Sequence, residues 1–226
     1  MDEVFRQLLQ RDPASHKYDF GHVLVIGGSP GMVGAPFLAA RAALRIGGGL
    51  VTIASSSDVI NKLEKRVEEL MTLRLSKDAH ELIPFIEERQ VSVVVVGPGM
   101  QPGFAATVLS KLEEQNMTSV VDGGGLSALQ QNPGLIKAGM VLTPHLGEFK
   151  RFFNENEEVS KPSKQAAELA KKHQVILVLK GHPTYVCAPD GQVFEDSTGG
   201  PELASAGAGD VLSGMVGGIV AQKIQP

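Results

Sequence analysis

The sequence predicts an α/β fold, a three-layer α/β/α sandwich around a mostly parallel central sheet, and three observations predict it. Short β-branched runs alternate with stretches of helical period along nearly the whole chain. The segment 91–96 is Val-Ser-Val-Val-Val-Val, the composition of a parallel strand buried on both faces. Glycine and polar residues collect after the runs, as they do where the carboxyl ends of parallel strands form a binding edge.

Residues 1–21 read as a short helix and a lead-in loop, interrupted by Pro13. A strand over 22–26 follows, then the turn Gly27-Gly28-Ser29-Pro30-Gly31-Met32-Val33-Gly34 and a helix over 35–46. Its glycines at 28, 31 and 34 do not make Gly-x-Gly-x-x-Gly, and no Lys-Ser/Thr pair completes a phosphate loop. Gly47-Gly48-Gly49 ends the helix; a second strand, 50–54, opens through Ser55-Ser56-Ser57 into another helix, with Asp58 expected as its cap. No acidic residue closes that strand, which speaks against a dinucleotide-binding fold of the usual kind.

Helices over 58–70 and 78–89 flank a strand at 71–75, their charge runs read as solvated faces. After 91–96 come Gly97-Pro98-Gly99, a helix over 103–115, a strand at 119–121 and Asp122-Gly123-Gly124-Gly125. A strand at 140–142 ends in Thr143-Pro144-His145, and a helix over 163–173 leads to a strand at 175–179 closed by Lys180-Gly181-His182-Pro183-Thr184. Segments 185–187 and 192–194, joined through Pro189-Asp190-Gly191, predict an antiparallel hairpin at the sheet border.

The chain then runs from Gly199 to Gly214 through Gly-Ala-Gly-Asp-Val-Leu at 207–212, a small-residue loop entering an apolar helix. Gly207 and Gly209 let backbone N–H groups approach a ligand, and a helix N-terminus favours phosphate. Asp210 beside that anion site is either a general base or a helix cap. Lys180 at the end of a buried strand needs an anion, and the reading favours a ligand phosphate over a structural carboxylate. Asp122 either meets Mg²⁺ or caps a turn; His145 is either a solvated loop histidine or part of a site.

At 226 residues, 42% hydrophobic and 20% charged, the chain suits one domain over 1–226. A formal net charge of −4 offers no basic surface for nucleic acid or an anionic membrane and leaves small molecules as the default ligands. Cys187 is the single cysteine, so no intrachain disulfide forms. No signal-peptide pattern and no membrane-length apolar run is visible, which predicts a cytoplasmic protein. The histidines form no zinc pattern, and no serine elbow or Cys/His pairing is visible.

These motifs, in this order, resemble the ADP/ATP-dependent NAD(P)HX dehydratases, nicotinamide-hydrate repair enzymes of the ribokinase-like superfamily. The resemblance runs from Ser15-His16-Lys17 to Gln222 and rests on the run 23–29 with Gly34-Ala35, on Arg41-Ala42-Ala43-Leu44-Arg45, Gly97-Pro98-Gly99, Thr143-Pro144-His145 with Gly147-Glu148, Leu179-Lys180-Gly181, and 207–212. It implies phosphorylation of the hydroxyl on NADHX or NADPHX by ADP or ATP with Mg²⁺, then loss of phosphate to give NADH or NADPH. It implies Ala35, Gly99, His145 and Asp210 at the substrate, Lys180, Gly181, His182, Pro183, Thr184, Gly207 and Gly209 at the nucleotide, Asp210 as base, and a homo-oligomer.

The chain departs from the family pattern Asp-Ala-Asp-Ala-Leu at Asp122-Gly123-Gly124-Gly125-Leu126, which removes a second carboxylate beside the metal candidate Asp122. It also lacks C-terminal helices that relatives usually carry, which predicts an incompletely covered helix over 209–222. Two alternatives stand beside this reading: a ribokinase-like kinase of a vitamin precursor such as hydroxymethylpyrimidine, and a non-catalytic nucleotide-binding relative.

Overall fold

The structure, a computed structural model, describes residues 11–113, 115, 117–152 and 160–222. The helix expected near the amino terminus falls largely on residues 1–10, outside the described residues, and the lead-in ends in one 3₁₀ turn at Lys17–Phe20.

Among the described residues the strands are β1 (His22–Ile26), β2 (Leu50–Ser55), β3 (Met71–Arg74), β4 (Val93–Val96), β5 (Thr118–Val121), β6 (Val141–Leu142), β7 (Ile176–Leu179), β8 (Thr184–Cys187) and β9 (Val193–Asp196). They form one sheet in the order β3-β2-β1-β4-β5-β6-β7-β8-β9. Pairing is parallel from β3 to β7 and antiparallel from β7 to β9, so the predicted border hairpin is present.

The helices are α1 (Gly34–Arg45), α2 (Ser57–Leu63), α3 (Leu82–Arg89), α4 (Pro102–Leu112), α5 (Gly123–Gln131), α6 (Leu146–Lys150), α7 (Pro162–His173) and α8 (Ala208–Ala221). The two-residue period of the strands sorts them into layers. Leu24 and Ile26 of β1, with Val94 and Val96 of β4, face one core shared with α3, α4, α5 and α7. Val23, Val25, Val93 and Val95 face a second core against α1, α2 and α8. Three layers around a doubly covered sheet result, as the valine-rich strand predicted.

Close packing of α1 on α8 fixes where α8 begins. A Cβ on Gly214 would overlap the Ala39 carbonyl oxygen, and one on Gly218 would lie 2.6 Å from the Ala43 carbonyl oxygen. Leu212, Val216 and Val220 pack against the second core, and Val211, Met215 and Ile219 are half-buried. The helix expected to be incompletely covered is thus half-buried on that side and presents no fully exposed large apolar residue.

Three expectations are corrected. The helix predicted over 58–70 ends at Leu63, although Val67 and Leu70 beyond it still pack against the second core; nothing in the structure explains the early end. Its N-cap position is Ser56, with Asp58 in the first turn. Asp122 stands at the N-cap position not of a turn but of a helix, α5, which the sequence pattern does not predict.

Candidate active site at the carboxyl edge of the sheet

The carboxyl ends of β1, β4, β5, β6 and β7 and the start of α8 bring the candidate residues together. After β1, the Gly28 N–H donates to the Pro98 carbonyl at 2.8 Å and the Ser29 hydroxyl donates to the Gly99 carbonyl at 2.8 Å. These bonds tie the turns after β1 and β4 into one floor. Gly99 has φ +64, and a Cβ on it would lie 2.9 Å from the Ala35 Cβ, so Gly99 and Ala35 are neighbours in close backbone contact. A side chain at Gly99 would fill the space where the two loops meet.

One strand further, β5 delivers Asp122. It occupies the N-cap position of α5 but makes no side-chain cap bond. Its carboxylate instead accepts from Lys180 Nζ at 2.8 Å, with the side chains 5% and 19% exposed for Asp122 and Lys180. Lys180 at the end of β7 thus meets the carboxylate alternative, contributed from β5, 58 residues away, at the edge where a ligand phosphate was expected.

Lys180 is held by its backbone as well. Its N–H donates to the Pro144 carbonyl at 2.8 Å, and it forms a parallel bridge with His145. The His145 ring does not point freely into solvent: Nδ1 accepts from the N–H groups of Gly147 at 3.0 Å and Glu148 at 3.2 Å, while Glu148 accepts from the His145 N–H at 2.9 Å. This reciprocal capping of α6 fixes the ring and leaves Nε2 3.5 Å from the Glu148 carboxylate. His145 thus caps α6 while its side chain stays more than half exposed, and no contact joins it to Asp210 among the described residues.

The start of α8 closes the group. Gly207 is its N-cap with φ +89, a left-handed conformation that favours glycine. Gly209 is helical; its part is close approach, since a Cβ there would lie 3.2 Å from Lys180 Nζ and 3.8 Å from Asp122 Oδ2. Asp210 is the third helical residue, so it is not the cap. Burial pushes its carboxyl above the ordinary value, the Asp122 charge pushes it the same way, and Lys180 opposes both. A raised carboxyl next to a helix N-terminus is suited to take a proton while N–H groups hold an oxyanion.

Gly181, His182, Pro183 and Thr184 run along the rim from β7 into β8. The Thr184 hydroxyl donates to the Gly181 carbonyl at 2.9 Å, and the His182–Pro183 peptide is cis. These residues line the side of Lys180 away from Ala35 and Gly99. No group of three or more His, Cys, Asp or Glu placed to hold a metal occurs among the described residues.

Gly124, the departure from the family pattern, has no room for a carboxylate: a Cβ on it would overlap the Met100 carbonyl oxygen. The Asp122–Lys180 pair is what sequence reasoning missed. Its signal lay in two opposite charges closing strands on either side of β6, at the same edge.

The sequence pattern of one family, described as NAD(P)H-hydrate dehydratase, matches residues 23–226. A bifunctional NAD(P)H-hydrate repair enzyme of Moorella thermoacetica is 38% identical over 97% of this chain, which spans 44% of that relative's length. Among solved structures, an ADP/ATP-dependent NAD(P)H-hydrate dehydratase from Bacillus subtilis, co-crystallised with ATP and Mg²⁺, is 28% identical with TM-score 0.77, covering 94% of this chain and 76% of that one. A ribokinase-like superfamily protein of Enterococcus faecalis is 26% identical with TM-score 0.78, covering 94% and 75% respectively. With an α/β sheet of this order and the Gly-Ala-Gly-Asp helix start at its carboxyl edge, the chain belongs to the NAD(P)H-hydrate dehydratase family of ribokinase-like fold.

Proposed function

We propose that this chain dehydrates NADHX and NADPHX to NADH and NADPH at the expense of ADP or ATP. The observation that carries the reading is the convergence of Asp122, Lys180, Gly209 and Asp210 at the N-terminus of α8. Asp210, held above its ordinary pKa, takes the proton of the substrate hydroxyl as its oxygen attacks the terminal phosphoryl group of the donor. The donor's bridging P–O bond breaks, and its charge falls on the N–H groups at the start of α8 and on Lys180. Phosphate then leaves the ring carbon with the C–O bonding pair, driven by the lone pair of the ring nitrogen; a neighbouring ring proton is lost and the dihydronicotinamide is restored.

Ala35 and Gly99 form the small-residue floor for the nicotinamide, with His145 at its rim. The segment from Lys180 to Thr184 receives the donor. Asp122, whose carboxylate stands beside Asp210, would hold Mg²⁺, an ion that takes few protein ligands alongside phosphate; bound there it would neutralise phosphate charge.

Incubating the protein with NADHX, Mg²⁺ and either ADP or ATP tests the reading. Recovery of dihydronicotinamide absorbance with stoichiometric phosphate release is expected. A stable phosphorylated product would mark a kinase, and nucleotide binding without turnover a non-catalytic relative.

A further inference from the structure

A cavity of about 570 Å³ opens beside α2, lined by Pro30, Asp58, Asn61, Lys62 and Lys65. The four residues from α2 and the turn after it recur at the spacing of one helix face. Asp58 and Lys62 stand four residues apart, a spacing that commonly pairs, yet no ion pair joins them among the described residues, and Lys65 is likewise unpaired. Of the acids nearby, Glu64 holds Arg74 at 2.6 Å, Glu69 holds Arg45 at 2.8 Å, and Glu68 does not line the cavity. Two ammonium groups therefore face one cavity with a single carboxylate, inside a chain whose net charge is −4.

Position gives the cavity its meaning. Pro30 belongs to the turn that joins β1 to Ala35, and α2 begins directly after the carboxyl end of β2. The cavity lies on the same sheet edge as Asp210 and Lys180 but on the far side of Ala35 and Gly99. From β2 to β5 the sheet order takes three strand steps, roughly 14 Å at the usual spacing. The donor segment from Lys180 to Thr184 occupies the opposite direction, toward β8. A dinucleotide whose nicotinamide rests on Ala35 and Gly99 then has one direction left for its adenosine end.

Resting on the proposed dehydratase reading, we propose that this cavity receives the adenosine ribose of NADPHX, with Lys62 and Lys65 holding its 2′-phosphate and Asp58 and Asn61 meeting the ribose hydroxyl. Two unpaired lysines supply the charge-assisted bonds that a phosphate requires, and the cavity is of a size that takes a nucleoside end.

The probe is adenosine 2′,5′-bisphosphate, titrated calorimetrically into the protein with the donor site saturated by ADP and Mg²⁺. The wild type should bind it more tightly than adenosine 5′-monophosphate. Lys62→Ala/Lys65→Ala, two exposed changes, should weaken it at least about tenfold while leaving ADP affinity and the melting temperature unchanged. In turnover, KM for NADPHX should rise more than KM for NADHX, with kcat held. Equal bisphosphate affinity in the two proteins, or no bisphosphate binding once ADP fills the donor site, overturns the proposal. The binding arm reads the cavity even if the wild type fails to dehydrate, a result that would overturn the proposed function instead.

Discussion

At the amino end of the parallel sheet, His22 opens β1 fully enclosed, its Nδ1 donating to the Arg89 carbonyl at 3.2 Å and its Nε2 accepting from the Thr52 hydroxyl at 2.8 Å. At the carboxyl end, Asp122 pairs with the one ammonium, Lys180, and Asp210 is pushed above its ordinary pKa by burial and by its acidic neighbour. Both ends bury polar groups, but the amino end matches each neutral donor with an acceptor, whereas the carboxyl end keeps an excess of negative charge. The first arrangement holds the fold together. The second is stable only conditionally, and a cation, a proton or a polarised substrate would relieve it. Loops at this end can carry chemistry because the strands beneath them are held by groups like His22.

The comparison breaks most sharply at Asp210. Asp210→Asn should cut turnover of NADHX by about 10²–10⁴-fold, the scale of a lost general base. Because the folded carboxyl is raised, the folded state binds the proton more readily than the unfolded chain, and the ionised form carries a cost above the folded pKa. That cost fades as pH falls through the raised value toward the ordinary one. Thermal melting at neutral pH should therefore show Asp210→Asn as stable as the wild type or more so, with the difference closing in acid. Wild-type turnover in this variant would remove the base from the mechanism.

In the proposed function Lys180 links the charged end to the donor. Lys180→Ala should lower ADP affinity by about 1–3 kcal/mol by calorimetry, a charge-assisted bond's worth. It should also destabilise the fold, because Asp122 is left buried without its partner. The double change Asp122→Asn/Lys180→Met separates the two roles: melting should recover while ADP affinity stays low. If ADP affinity recovers too, Lys180 serves only Asp122.

What the sequence made legible follows from which forces are local. The alternation of strand and helix, the valines of β4 and the hairpin of β8 and β9 are written in short periods, and so is the collection of glycine turns at one edge. The Asp122–Lys180 pair joins two strands across β6, and no local pattern announces a partner 58 residues away. Lys62 and Lys65 read as a solvated charge run until α2 and the turn after it set them along one cavity. The helix α5 hid behind its three glycines, which have poor helix propensity but let the helix start press against the β4 loop. Gly124→Ala sharpens that point: its Cβ would overlap the Met100 carbonyl, so a loss of about 1–3 kcal/mol is expected in denaturant unfolding, despite the gain in helix propensity. A stabilised variant would mean that the glycine is permitted there and not required.

The smallest expected effect lies at the amino end and tests whether its ledger is closed. Burial lowers the His22 pKa below its ordinary 6.5, and the Arg89 charge acts in the same direction against the opposing Arg89 carbonyl bond. The folded chain therefore binds the His22 proton less readily than the unfolded one. Stability from this residue is complete above about pH 6.5 and is lost as pH falls from there toward the lowered folded value, with a slope of at most about 1.4 kcal/mol per pH unit. Other histidines titrate in the same range: His173 is also lowered by burial, while His80 is raised by its bond to Asp78 and contributes with the opposite sign. Comparing wild type with His22→Gln cancels both, since each protein keeps them. The variant keeps a donor and an acceptor for the Arg89 carbonyl and Thr52, so it should be less stable at pH 8 through imperfect fit alone. Its deficit should narrow between pH 6.5 and 5, where the wild type gives up the His22 contribution. A deficit constant across that range in denaturant unfolding would show that His22 accepts a proton in place, and that the amino end of the sheet is not the closed, neutral counterpart of the carboxyl end.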